Sequence, residues 1–242
     1  MHPYKGKFII IDGLDGIGKG VIIKALEEIE NKTKKVFNLI DFWKKHKTHP
    51  DYELLKPYDT IISSEPTYAE KGLEIRNKII AKGTTHSALD AAKAYSQDRL
   101  ILYNKIILKA LKDGKTIIQD RSVCSSLVYQ RTQSDNTLSI TQLTNLEGNK
   151  LALNNSPNLL IIPTIKNPEE LMARLSNRTK QDNCIFENIN FQLKLKPIYE
   201  SQELKQLFES RNTIVKYLDA SLSIKETQEQ AINIYKEFLN NQ

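Results

Sequence analysis

A chain of 242 residues, 40% hydrophobic and 26% charged, has the size and balance of one α/β domain (1–242), and no second composition regime divides it. No apolar run approaches a membrane span, and the start Met1-His2-Pro3-Tyr4-Lys5 has no apolar signal-peptide core, so a cytoplasmic protein without a membrane partner is expected. The net charge of +6 comes from scattered lysines with no basic block interleaved with aromatics, which argues against a nucleic-acid partner, and neither the two cysteines nor the four histidines show metal-ligand spacing.

The run Phe8-Ile9-Ile10-Ile11 reads as a buried strand that breaks into Asp12-Gly13-Leu14-Asp15-Gly16-Ile17-Gly18-Lys19-Gly20. Gly13, Gly18 and Lys19 fit the first seven positions of G-x-x-x-x-G-K-[ST], in which backbone N–H groups cradle phosphate oxygens and the lysine reaches the outer phosphates. The eighth position is Gly20, which has no hydroxyl. Ile22, Ala25, Leu26 and Ile29 give the following segment, Lys19 to about Glu30, one apolar stripe, and the start of that helix adds partial positive charge to the loop. The alternative, a glycine-rich turn that happens to precede lysine, lacks this strand and helix context.

Further along, Lys35 to Ile40 reads as a second strand, and the aromatic, basic stretch around 42–58, with Trp43, Pro50 and Pro57, reads as an insertion: surface loop with some helix, or a dimer or lid contact. Thr60 to Ser63 is a third strand, ending at Ser64-Glu65-Pro66-Thr67. Helical spacing covers Glu70 to Lys82 and then Ser87 to Asp113, with Gly83 and Gly114 as stops. Lys115 to Gln119 is the next strand, with Asp120-Arg121 at its carboxyl end, where open parallel sheets bind ligands. Helices are expected over Ser125 to Arg131, Ile140 to Leu153, from Pro168, over Asn188 to Phe208 with a break near Pro197, and from Ile224 to Leu239. Strands are expected at Asn158 to Ile162 and Thr213 to Leu218. From Arg174 to Glu187 the pattern turns polar and basic, as a flap over phosphates or a solvated helix end would. Strands alternating with helices mean a parallel sheet with helices on both faces.

The glycine loop, Glu65-Pro66-Thr67, Tyr95-Ser96-Gln97-Asp98-Arg99, Asp120-Arg121-Ser122 and Ser125-Ser126-Leu127-Val128-Tyr129-Gln130, in that order, resemble thymidylate kinases from Phe8 to about Leu239. The resemblance implies a three-layer P-loop nucleotide kinase fold with a five-stranded parallel sheet, a homodimer, and transfer of the ATP γ-phosphoryl to dTMP with Mg²⁺. It implies that residues 13–20 (Gly13, Leu14, Asp15, Gly16, Ile17, Gly18, Lys19, Gly20) bind the donor phosphates and that Arg99 and Arg121 clamp the acceptor monophosphate. It places Asp15 on the acceptor 3′-hydroxyl, Asp120 on magnesium and its waters, and Tyr95 on the face of thymine. Ser125 and Gln130 fall at the base edge, and Tyr129 against the deoxyribose.

Gly16 stands where several relatives carry an in-loop arginine, so positive charge is expected from the flap, 174–187, with Arg174, Arg178 and Lys180 as open candidates. Gly20 and Val21 replace a hydroxyl pair, Ser64 and Ser122 replace an arginine and an aromatic, and the flap is longer and less basic than the family norm. These departures leave two other readings: a nucleotide-binding P-loop protein without catalysis, and a kinase for another monophosphate.

Overall fold

The computed structural model describes residues 4–81, 83, 86–133, 138–176 and 188–241. Its centre is one parallel sheet of strands β1 (Lys7–Ile11), β2 (Val36–Asn38), β3 (Thr60–Ser64), β4 (Thr116–Asp120), β5 (Leu159–Thr164) and β6 (Ile214–Asp219) in the order β2-β3-β4-β1-β5-β6. Phe8, Ile9, Ile10 and Ile11 are all fully buried, and because successive side chains point to opposite faces, both faces of the sheet are covered. All six sequence-predicted strands are present, so the expected sheet of five is corrected to six: both outermost runs, β2 and β6, pair with the body of the sheet.

The helices among the described residues are α1 (Lys19–Glu30), α2 (Leu39–His46), α3 (Glu70–Glu74), α4 (Ala88–Leu102), α5 (Leu108–Lys112), α6 (Val123–Thr132), α7 (Ile140–Thr144), α8 (Glu147–Asn154), α9 (Pro168–Ser176), α10 (Ile189–Tyr199), α11 (Gln202–Glu209) and α12 (Ile224–Asn240). Wide π turns continue α3 over Ile75–Ile79 and join α4 to α5 over Tyr103–Ile107. None of the described helices is long and apolar enough to cross a membrane.

Two boundaries move for local reasons. The second strand stops at Asn38 because that side chain accepts from the N–H groups of Ile40 (3.0 Å) and Asp41 (3.2 Å), capping α2 where strand was expected to run to Ile40. The 42–58 stretch is then folded onto the core: Leu39, Trp43 and Leu55 are fully buried, so Trp43 serves packing and is not displayed for a partner. Pro197 stays inside α10, which ends two residues later, and Ser201 caps α11 after the break.

α4 and α8 cross closely at Gly148, whose N–H donates to Ser96 Oγ at 2.9 Å. A Cβ on Gly148 would lie 1.8 Å from the Ser96 carbonyl oxygen, so only glycine fits this crossing.

Candidate active site

The loop between β1 and α1 sits at the carboxyl edge of the sheet, between β4 and β5. Gly16 (φ +74°) and Gly18 (φ +100°) take left-handed conformations that L side chains avoid, and this curls the backbone N–H groups inward. Lys19 opens α1 with its ammonium folded back onto the carbonyls of Gly13 (3.2 Å) and Leu14 (2.7 Å). Burial, and secondarily the nearby Arg121 charge, lowers its pKa to about 8.

Asp120 ends β4 and Arg121 follows it, and Arg121 adopts φ +68°, a left-handed conformation rare for a side chain of this size. Its backbone N–H donates to Ile11 O (2.9 Å), holding the turn against β1, while its guanidinium donates to Ser125 Oγ (2.9 Å), Tyr129 Oη (3.3 Å) and Gly13 O (3.3 Å) and pairs with Asp15. Lys19, Asp15, Arg121, Ser125 and Tyr129, all expected at the site, thus lie around one loop. Arg121 and Asp15, expected on the acceptor phosphate and sugar, neutralise each other here.

Behind them lies a residue the sequence reading passed over. Asp12, with no exposed surface, accepts from Gly13 N (2.9 Å), Ser125 Oγ (2.6 Å), Ser125 N (3.1 Å), Ser122 Oγ (2.9 Å) and Tyr199 Oη (2.9 Å). This carboxylate ties the loop to the start of α6 and to the end of α10. Its signal was present: a charged residue ending a run of buried isoleucines is costly unless it has partners.

Arg99 is 1% exposed and shares its donors among Glu65 (Nε 2.7 Å, Nη2 2.6 Å), Ser126 (Nη2 3.2 Å) and Asn149 (Nη1). Three of the five N–H groups a guanidinium carries are hydrogen-bonded in this way, and Nη2 also lies against the same Glu65 oxygen as Nε, so little of the fork is offered to a ligand unless the network rearranges. Burial pushes the Glu65 carboxyl up to about 7 against the pull of Arg99. Asp98 locks the same corner by accepting from Thr67 N (2.8 Å) and Thr67 Oγ1 (2.7 Å), which joins the Glu65-Pro66-Thr67 loop to α4.

Of the other expected site residues, Gln130 is 2% exposed with Oε1 buried and without a hydrogen-bond partner, a spare acceptor. Tyr95 packs beside a small apolar cluster of Ile75, Ile79, Ala91 and Ala94. Arg174 is half-buried near the end of α9, and Arg178 and Lys180 lie outside the described residues. From α10 come two residues without sequence warning: Tyr199 on Asp12, and Gln192, which bonds Asp15 through both its amide atoms.

Among the described residues no group of three or more His, Cys, Asp or Glu could hold a metal unaided. Asp120 fits a lighter role: Oδ1 is buried without a hydrogen-bond partner, and burial raises its pKa although Lys19 and Arg121 oppose this. One carboxylate beside a phosphate cradle suits Mg²⁺, which leans on substrate oxygens and water.

The family model for thymidylate kinase matches residues 52–231, a stretch that begins beyond the glycine loop and takes in Arg99, Arg121 and Gln192. The chain is 28% identical over 192 residues to a thymidylate kinase of Caldicellulosiruptor saccharolyticus, covering 79% of this chain and 80% of that relative. It is 28% identical over 239 residues to one of Ligilactobacillus salivarius, covering 97% of this chain and all of the relative. The solved structure of thymidylate kinase from Candida albicans shares the fold, with a TM-score of 0.64 over 98% of this chain and 94% of that one at 20% identity. With the model spanning well over half of its length, the chain belongs to the thymidylate kinase family.

Proposed function

We propose that this chain transfers the γ-phosphoryl of ATP to the 5′-phosphate of dTMP, giving ADP and dTDP, with the residues gathered at the loop. The observation that carries this assignment of roles is the convergence of Lys19, Asp15, Arg121 and Tyr129 at one sheet edge in a member of this family. Phosphoryl transfer asks the protein for position and charge cancellation, not for a covalent group. Lys19 and the loop amides hold the donor phosphates. Arg121 turns from Asp15 to the acceptor phosphate, a fork suited to paired oxygens, and frees Asp15 for the sugar 3′-hydroxyl. Tyr129 flanks the sugar, Gln130 offers its unpaired Oε1 to the base edge, Tyr95 supplies an aromatic face, and Arg99, held by Glu65, Asn149 and Ser126, braces the pocket and adds its remaining donors to the acceptor phosphate. Asp120, with oxygens of ATP, would hold Mg²⁺, which would supply charge neutralisation at the phosphates. The acceptor oxygen then attacks the γ-phosphorus as the bond to the bridging oxygen of ADP breaks. A homodimer and a cytoplasmic location belong to the same reading.

A coupled assay with purified protein, ATP, Mg²⁺ and a panel of nucleoside monophosphates tests this function. Turnover with dTMP above the other acceptors supports it. Turnover confined to another monophosphate replaces the acceptor, and nucleotide binding without turnover favours the non-catalytic reading that Gly20 suggests.

Gly20 gives a sharper expectation. It offers no hydroxyl, yet a Cβ there meets no atom within 4 Å, so Gly20→Ser is sterically free. The variant is expected to lower the Mg²⁺ concentration at half-maximal rate by about three- to tenfold, the scale of one added polar contact. Magnesium titrations of both proteins check this, and superimposed curves would mean that the position is already filled.

The pKa of Lys19 gives another. Below about pH 8 the amine is charged before ATP arrives; as pH rises through that value, binding must take up a proton. ATP affinity is therefore expected to be flat below about pH 7 and to fall by up to about tenfold per pH unit above pH 8. Calorimetric titration in buffers of different ionisation enthalpy reads the proton uptake directly. Lys19→Arg, whose side chain stays charged, should abolish the inflection.

A further inference from the structure

Asp15 does not hold its own orientation. Its backbone N–H donates to Gln192 Oε1 at 2.9 Å, and Gln192 Nε2 donates to Asp15 Oδ2 at 3.0 Å. The same oxygen accepts from Tyr129 Oη at 3.2 Å, the other oxygen pairs with Arg121, and the Tyr129 hydroxyl lies 3.4 Å from Gln192 Oε1. The chemistry fixes which way the amide faces: a backbone N–H can only donate and a carboxylate can only accept, so Gln192 must present oxygen to one and nitrogen to the other. Gln192 is itself fully buried. It shares one face of α10 with Leu195 and Tyr199, both buried, and Tyr199 Oη donates to Asp12 Oδ1 at 2.9 Å two helical turns away. The helix is thus fastened to both carboxylates of the loop.

We propose that Gln192 is a positioning residue for acceptor recognition, setting the rotamer of Asp15 so that the enzyme discriminates acceptors carrying a 3′-hydroxyl from those that lack it. This rests on the assignment of Asp15 to that hydroxyl given above. Glutamine is the residue the geometry favours, because an ionised aspartate or glutamate at 192 has no donor for Oδ2, and an apolar side chain removes the acceptor that Gln192 Oε1 gives the Asp15 backbone N–H.

The test compares dTMP with 2′,3′-dideoxythymidine 5′-monophosphate in the parent and in Gln192→Glu, from about pH 6 to pH 8. Both acceptors carry the same base and phosphate, so a variant that merely loosens α10 lowers activity on both alike. The parent is expected to favour dTMP by about ten- to a hundredfold in kcat/KM, the scale of one hydrogen bond to a charged group. In Gln192→Glu that preference is expected to shrink to within about threefold at pH 8 and to return as pH falls, because a proton shared between Glu and Asp15 restores the missing donor. Gln192→Ala removes both contacts without added charge. It is expected to lose the preference at every pH, and it serves should the charged variant fail to fold. A selective parent with equally selective variants at every pH overturns the positioning role alone. A parent that treats the two acceptors alike overturns the assignment of Asp15 and this proposal with it.

Discussion

Arg121→Ala is expected to lower kcat/KM for dTMP by about 10²- to 10³-fold, the scale on which a preorganised charged donor acts at a phosphoryl site. The Arg121 guanidinium touches Asp15, Ser125, Tyr129 and the Gly13 carbonyl together, and a lysine, a point charge without a planar fork, does not reproduce that geometry. ATP binding should hold or tighten above pH 8, since loss of the Arg121 charge lets the pKa of Lys19 rise. Backbone strain gives an internal control. At φ +68° a non-glycine residue carries a cost of about 1–3 kcal/mol, so Arg121→Gly should be the more stable of the two variants while being equally inactive. Steady-state kinetics with each substrate varied, together with thermal melts, check both statements. Lost ATP affinity with an unchanged KM for dTMP would move Arg121 to the donor side.

The largest effect on stability is expected at Arg99. Arg99→Ala removes the partner of Glu65, a carboxylate in a site almost without solvent, and strips Asn149 and Ser126 of a donor. Breaking a buried pair from one side costs about 3–5 kcal/mol, which is a large part of the stability of an ordinary domain. The double variant Arg99→Met with Glu65→Leu should recover most of that loss, because a packed apolar pair replaces the ion pair with no stranded charge. Denaturant midpoints of the three proteins measure this, and dTMP titrations of the double variant separate folding from binding. If dTMP affinity survives in the double variant, Arg99 serves the acceptor pocket only by holding its wall.

Much of this arrangement was legible because its signals are local. The isoleucine run of β1, the glycines before Lys19 and the Asp120-Arg121 pair at a strand end each declare themselves within a few residues, and all fall at one sheet edge. The strand order was not legible, nor that all six expected strands join one sheet, since pairing depends on which buried faces fit and not on any one segment. Asn38 ended β2 early by capping a helix, a choice between two local hydrogen-bond patterns that the apolar run Val36 to Ile40 does not reveal. Gln192 and Tyr199 were missed for a different reason. They stand more than 170 residues beyond the loop, in a helix whose composition is ordinary, and gain meaning only when folding sets that face against Asp15 and Asp12. Arg99 was expected from its motif to clamp the acceptor phosphate, and that motif does not reveal that Glu65 and Asn149 hold its guanidinium in a buried network.

The crossing of α4 and α8 has a consequence for how this sequence can drift. Asn149, which holds the Arg99 guanidinium, directly follows Gly148, and Gly148 rests on the backbone of Ser96, three positions before Arg99. A single methyl group at 148 pushes one helix off the other and draws Asn149 away from Arg99, leaving that cation to Glu65 and Ser126. The injury would present as weakened acceptor binding although position 148 itself offers a nucleotide no functional group. Tolerance to substitution in this chain therefore follows the helix contact as much as the chemistry it supports, and a survey of variants ranked by nearness to the phosphates would underrate the position.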